Sequence, residues 1–120
     1  MGIAIRSLEP ADAEAAGRAR VEGWRHAYRG LVPEEYLAGM DAGRWAAGLR
    51  AGLATEPPGV SHLVAEVDDR GVVGWACVGP YRPNPQVDGV DGGEGGAGGD
   101  GWGELYAVYV RPDFIGAGVG

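Results

Sequence analysis

The segment ELYAVYVRPDFIGAGVG, residues 104–120, decides how this chain is read. Residues 104–110 are an apolar run rich in valine and tyrosine, the composition of a strand. Arg111-Pro112-Asp113 then makes a turn, because proline has no N–H to offer a ladder. Gly116, Gly118 and Gly120 follow at alternate positions. Alternate glycines have two readings, a loop that cradles phosphate or a flexible tail. Glycine tolerates positive φ and lets a ligand approach the backbone without a β-carbon in the way, which is what a phosphate cradle needs. A strand and a proline turn ahead of the glycines favour the cradle.

The upstream sequence supplies an ordered set of elements. Ile3, Ile5 and Leu8 predict a short strand, and Pro10 suits the first turn of a helix with Asp12 and Glu14 near its positive end. Ala13, Gly17, Val21, Trp24 and Tyr28 recur every three or four residues, which is one helical face, and Gly30 is its stop signal. Pro33 restarts a short helix with Tyr36, Leu37 and Met40 on its apolar side. Asp41 caps a third helix carrying Trp45, Leu49 and Leu53, which TEPPG ends. SHLVAEV and VVGWACV, separated by DDRG, predict a β-hairpin. A strand, three helices and an antiparallel meander make an α+β domain or part of a larger α/β domain.

Composition narrows the function classes. The chain has 120 residues, a size for one domain, with 24 glycines and 8 prolines. Ten of the glycines fall in residues 79–103, so the remainder is of ordinary globular composition. All ten basic residues are arginine and the net charge is −7. Without lysine there is no Walker-type phosphate loop. An acidic chain without a basic patch is a poor nucleic-acid binder, since neutralised phosphates supply most of that affinity. One cysteine, Cys77, cannot form an internal disulfide and suits a reducing compartment. No basic-then-apolar leader and no long apolar run is visible, and Arg6 stands where a myristoylation signal wants serine or threonine. The expectation is a cytoplasmic protein without a membrane or nucleic-acid partner.

Residues 104–120 resemble the central strand and acyl-CoA loop of the GNAT N-acetyltransferase superfamily. The loop pattern Arg/Gln-x-x-Gly-x-Gly/Ala falls on Ile115, Gly116, Ala117, Gly118, Val119 and Gly120. WRHAYRGLVPEEYL resembles the first helix of bacterial members and its connection to the second, and VVGWACVGP resembles part of their hairpin. The resemblance implies an α+β fold, β-α-α-α-β-β-β with a mixed, mostly antiparallel sheet. Residues 1–120 would form one partial domain, with a glycine-rich acidic insert at about 84–103 and the C-terminal half absent. It implies transfer of an acetyl or other acyl group from acetyl-CoA, a cosubstrate, to a primary amine on a small molecule or peptide, without a metal. The loop glycines would hold pyrophosphate, and the main chain of Val108, Tyr109 and Val110 would pair with pantetheine. A backbone N–H near Val108 would serve the oxyanion. Glu104 would be the general base, and Trp24 and Tyr28 would line the acceptor pocket. Ile115 departs from the pattern by removing one polar contact. The family's usual general acid, a tyrosine on the helix after the loop, lies beyond Gly120.

Each of these residues also has a plainer reading. Trp24 and Tyr28 suit the core face of a helix, and Glu104 a solvated strand end. Arg25, His26 and Arg29 read as solvated, and Glu34 and Glu35 as ordinary first-turn acids. His26 and His62 have no ligand-spaced partners for a metal. Cys77 reads as core rather than as a thiol acyl carrier. Ser7 and Ser61 lack a nucleophile-elbow context. The insert is either a surface loop or a lid over the acceptor site. A second class of function stands beside acyl transfer. The chain would then be a non-catalytic binding or assembly module, a homodimer formed through an exposed sheet edge.

Overall fold

The computed structural model describes residues 2–82 and 103–120, and these form four strands and three α-helices, with short 3₁₀ turns between them. Strand β1 is Ile3–Ser7, β2 Ser61–Val67, β3 Gly71–Pro80 and β4 Gly103–Val110; helix α1 is Ala13–Ala27, α2 Glu34–Ala38 and α3 Ala42–Gly52. The sheet order is β1-β2-β3-β4 and every ladder is antiparallel, so the expected mixed sheet is wholly antiparallel among the described strands. Most of the insert expected at about 84–103 lies outside the described residues.

Local chemistry explains most boundaries. Asp41 caps α3 as expected, its carboxylate accepting from the Arg44 N–H at 3.1 Å. The hairpin between β2 and β3 turns where Asp69 and Gly71 take φ of 64° and 75°, a conformation that glycine and aspartate tolerate. Helix α1 departs from expectation at both ends. A 3₁₀ turn, Pro10–Asp12, precedes it, and it stops at Ala27 rather than at Gly30. Gly30 instead turns the following loop with φ 83°. Asp12 ties the helix entry to β1, because Arg6 donates to both its oxygens at 2.7 and 3.0 Å. That pairing holds the Asp12 carboxyl below its ordinary value.

The sheet carries two apolar clusters. One joins Ala16, Trp75 and Cys77 to Trp45, Leu49, Ala107 and Tyr109, and so ties α1 and α3 to β3 and β4. The other joins Ala65, Val67 and Val73 to Phe114 and Val119 of the C-terminal loop. Small residues let α1 sit close to its neighbours. Ala13, Ala16 and Ala19 are fully buried. At Gly17 an added β-carbon would come within 2.7 Å of the Ala42 carbonyl oxygen and 3.1 Å of Trp45.

These contacts predict opposite effects for two glycine-to-alanine changes in helices. Gly48 lies on α3 with nothing within 4 Å of where a β-carbon would sit, and should gain about 0.5–1 kcal/mol as alanine. Gly17→Ala should lose about 1–2 kcal/mol despite the same gain in helix propensity, because α3 must move. Urea unfolding of the two variants reads the difference, and equal shifts would contradict the close α1–α3 packing.

Candidate functional site

Beyond β4 the chain folds back onto the sheet. The Arg111 N–H donates to the Val73 carbonyl at 2.8 Å, and Phe114 N–H to the Arg111 carbonyl at 2.8 Å. Phe114 and Val119 are both buried, and between them Ile115, Gly116, Ala117 and Gly118 stand exposed. The loop is therefore pinned at two points and raised between them. Gly116 and Gly118 take φ of 84° and 87°, whereas Ala117 between them does not take a positive φ. Alternating signs of φ turn successive N–H groups toward one side, the arrangement of an anion-binding nest. The N–H groups of Gly116, Gly118, Val119 and Gly120 bond to no other described residue. Ile115 is 58% exposed, so the position at which the family pattern has arginine or glutamine presents an apolar side chain to solvent.

Strand β4 departs from a regular ladder at one place. Cys77 pairs with Ala107 and Val78 with Leu105, which leaves Tyr106 as an extra, bulged residue. The Tyr106 hydroxyl donates to the Pro80 carbonyl at 2.6 Å, and the Arg82 guanidinium lies 3.7 Å from the Tyr106 ring centroid. Arg82 also binds Glu104 through its backbone N–H at 2.9 Å and its guanidinium at 2.5 and 3.1 Å. The carboxylate in turn raises the guanidinium's pKa further above its ordinary value. Glu104 is thus a paired carboxylate at the start of β4, not a solvated strand end.

At the other end of β4, helix α1 crosses close to the strand. A β-carbon on Gly23 would lie 3.2 Å from the Tyr109 ring. A cleft of about 310 Å³ is lined by Gly23, His26, Tyr28, Tyr109 and Ile115, with Val108 and Val110 completing its strand side. The Trp24 indole N–H donates to the Tyr109 hydroxyl oxygen at 2.7 Å, and the Trp24 and Tyr28 rings are 4.3 Å apart. Tyr109 lies parallel to Trp75 at 5.9 Å, and the Trp75 indole donates to His62 Nδ1 at 3.2 Å. Trp24 is half-buried and Tyr28 is 36% exposed, so both stand at the rim of the core rather than within it.

The structure therefore brings Trp24 and Tyr28 to Val108, Tyr109, Val110 and Ile115. It does not bring Glu104 there, since five residue-to-residue steps along the strand carry Tyr109 roughly 17 Å from Glu104. Arg25 was expected in solvent and is instead half-buried, donating to the carbonyls of Leu37 at 2.9 Å and Met40 at 3.0 Å. It ties α2 to α1 and helps enclose a larger open hollow of about 830 Å³, lined by Arg29, Leu31 and Glu34 among others. Two features were not visible in the sequence, the Arg82 partner of Glu104 and the side-chain role of Tyr109. The cross-strand pairing of Trp75 with Tyr109 would have pointed to the second, but it depends on register.

No family sequence model and no curated protein matches this chain. Solved structures do. A PaiA N-acetyltransferase from Thermoplasma acidophilum, solved with coenzyme A, superposes with a TM-score of 0.60 at 19% identity over 99% of this chain and 67% of its own. A GNAT family acetyltransferase from Brucella melitensis, solved with acetyl-CoA, gives 0.59 at 21% identity over 98% of this chain and 60% of its own. This chain has the fold of the GNAT acetyltransferases. A ribosomal-protein-alanine N-acetyltransferase from Brucella melitensis biovar Abortus 2308 gives 0.57 at 18% identity over 99% of this chain and 64% of its own. The chain thus spans about three-fifths to two-thirds of these structures, a portion of the GNAT fold rather than its whole length.

Within this GNAT-type sheet Cys77 is a free, buried thiol whose pKa is pushed up, first by burial and then by the charge of Glu56. A thiol acyl carrier needs an accessible thiolate, which this position withholds. Ellman's reagent should label Cys77 slowly in the native protein and completely in denaturant. Fast native labelling would reopen the acyl-carrier reading. Among the described residues, no group of three or more His, Cys, Asp or Glu side chains is clustered to hold a metal ion. No described helix is long and apolar enough to cross a membrane.

Proposed function

We propose that this chain binds acetyl-CoA and transfers its acyl group to a primary amine by direct attack, without a covalent enzyme intermediate. The observation that carries this reading is the raised loop directly after β4, pinned by Phe114 and Val119, with positive φ at Gly116 and Gly118. Its free N–H groups suit a pyrophosphate, which needs several donors at close range. Gly116, Gly118 and Gly120 would hold that group, with Ile115, Ala117 and Val119 completing the loop. The likeness to structures solved with coenzyme A and acetyl-CoA supports the same ligand.

The remaining roles follow the strand. Among the described strands β4 is an edge, so the main chain of Val108, Tyr109 and Val110 would be open to pair with pantetheine as an added strand would. Backbone N–H donors on that strand would also suit the developing oxyanion. The cleft bordered by Trp24 and Tyr28 would take the acceptor, a small-molecule or peptide amine. Glu104 is the carboxylate of β4, held by Arg82 at the far end of the strand from that cleft, so it would serve as base only along a chain of waters or for an amine held toward the start of β4.

Titration calorimetry of the protein with acetyl-CoA tests the reading. Binding is expected with a dissociation constant on the order of micromolar to millimolar, the usual range for such substrates. Gly118→Ala should weaken it about tenfold, since a β-carbon at φ 87° costs about 1–2 kcal/mol. No heat of binding to the intact chain would overturn the proposal.

The same free edge supports a second reading, a non-catalytic assembly module. Leu105 and Val108 are 57% and 49% exposed, which leaves apolar surface beside the edge that β4 presents among the described strands. Under this reading a homodimer forms through β4. Sedimentation velocity should then show a dimer at micromolar concentration that persists with saturating acetyl-CoA, and a monomer would remove this reading.

A further inference from the structure

The chain has ten arginines against 17 acidic residues, and all ten lie within the described residues. Arg6, Arg18, Arg50, Arg82 and Arg111 pair with carboxylates. Arg20 and Arg70 lie over the rings of Trp45 and Phe114, and Arg44 stands exposed on α3. Arg25 and Arg29 remain. Neither forms an ion pair among the described residues, and both line the hollow of about 830 Å³ between α1 and α2. Arg25 is half-buried, with its Nε and Nη2 donating to the carbonyls of Leu37 at 2.9 Å and Met40 at 3.0 Å. Those neutral acceptors satisfy hydrogen bonds without cancelling the charge, and Nη1 keeps no partner among the described residues. The dipole of α1 favours a cation at its end. It does not explain two like charges, four positions apart, gathered on one hollow. The wall between them is apolar, formed by Leu31, Val32, Pro33 and Leu37, and Glu34 on the same lining pairs with neither arginine.

Resting on the acyl-transfer reading above, we propose that the amine acceptor carries a carboxylate, and that Arg25 and Arg29 hold it in the hollow between α1 and α2. Guanidinium groups with open N–H donors and no acid partner suit a carboxylate in both charge and hydrogen bonding. The apolar wall receives the hydrocarbon body of the same molecule, so an amino acid with an aliphatic side chain is the chemical class that fits. A polyamine, cationic along its length, meets like charge there and is disfavoured. Tyr28 lines the cleft beside β4 and its neighbour Arg29 lines the hollow, so the two openings meet at the end of α1. A carboxylate fixed in the hollow leaves the amine to point toward the cleft. Arg25 and Arg29 are thus determinants of acceptor choice and take no part in the chemical step.

Calorimetry on the full chain compares N-acetyl-leucine with N-acetyl-leucinamide, which differ only in carboxylate against uncharged amide. Wild type should prefer the carboxylate by about tenfold or more at low salt, and by less as salt is raised. The Arg29 side chain is exposed and has no partner among the described residues, so Arg29→Gln should fold as wild type does. It should bring the two affinities within about threefold, whereas Arg29→Lys, which keeps the charge, should retain most of the preference. Circular dichroism reports the fold of each variant, and acetyl-CoA is titrated into the same samples. If acetyl-CoA binds but wild type prefers neither probe or binds neither, the acceptor assignment is overturned and acyl transfer stands. A preference that survives Arg29→Gln overturns it equally. So does inorganic phosphate that displaces N-acetyl-leucine at equal concentration, because the hollow would then serve phosphate-bearing ligands. If wild type does not bind acetyl-CoA, the acyl-transfer reading fails and the acceptor assignment fails with it.

Discussion

Trp75 and Tyr109 face one another across β3 and β4, and much of the molecule is arranged around that pair. Two large rings stacked across a ladder bury area and fix both side chains at once. The Trp45 ring meets Trp75 edge-on at 4.9 Å, which draws α3 onto the sheet. Gly23 removes the one β-carbon that would hold α1 away from Tyr109, and Trp24 then reaches the hydroxyl. Helix packing and the shape of the cleft thus share a single cause. A residue with a β-carbon at position 23 would disturb both.

The C-terminal loop obeys a different constraint. A glycine-rich segment gains little from burial and loses much chain entropy on ordering, so it needs anchors. Phe114 and Val119 are those anchors, and they enter the cluster of Ala65, Val67 and Val73. The N–H groups of Gly116 and Gly118 between them keep no partner among the described residues, because the buried side chains lie on either side. Order at the anchors and openness at the glycines belong together. A related fit accounts for Gly74, whose missing side chain leaves room for Val119 and for the Tyr109 carbonyl.

Several features were legible in the residues themselves. The Asp41 cap, the turn at residues 68–71, the three helices and the positive φ of Gly116 and Gly118 all follow from local stereochemistry, which a short window of sequence contains. Helix ends were legible only approximately, because Gly30 bends a loop that α1 has already left. Long-range pairings were not legible. Arg82 and Glu104 are 22 positions apart, and Trp24 and Tyr109 are 85 apart.

The order of elements, the placement of a glycine loop after a strand and proline turn, and the α+β class are properties of the residue string. Local propensity and period are enough for these. Folding in three dimensions was needed to bulge Tyr106 from β4, to pair Glu104, to tie Arg25 to the carbonyls of Leu37 and Met40, and to bring the Trp24 indole onto the Tyr109 hydroxyl oxygen. Each of these depends on strand register and on how closely α1 approaches the sheet. Those distances are set by the packing of the whole chain, and no local stretch of sequence contains them.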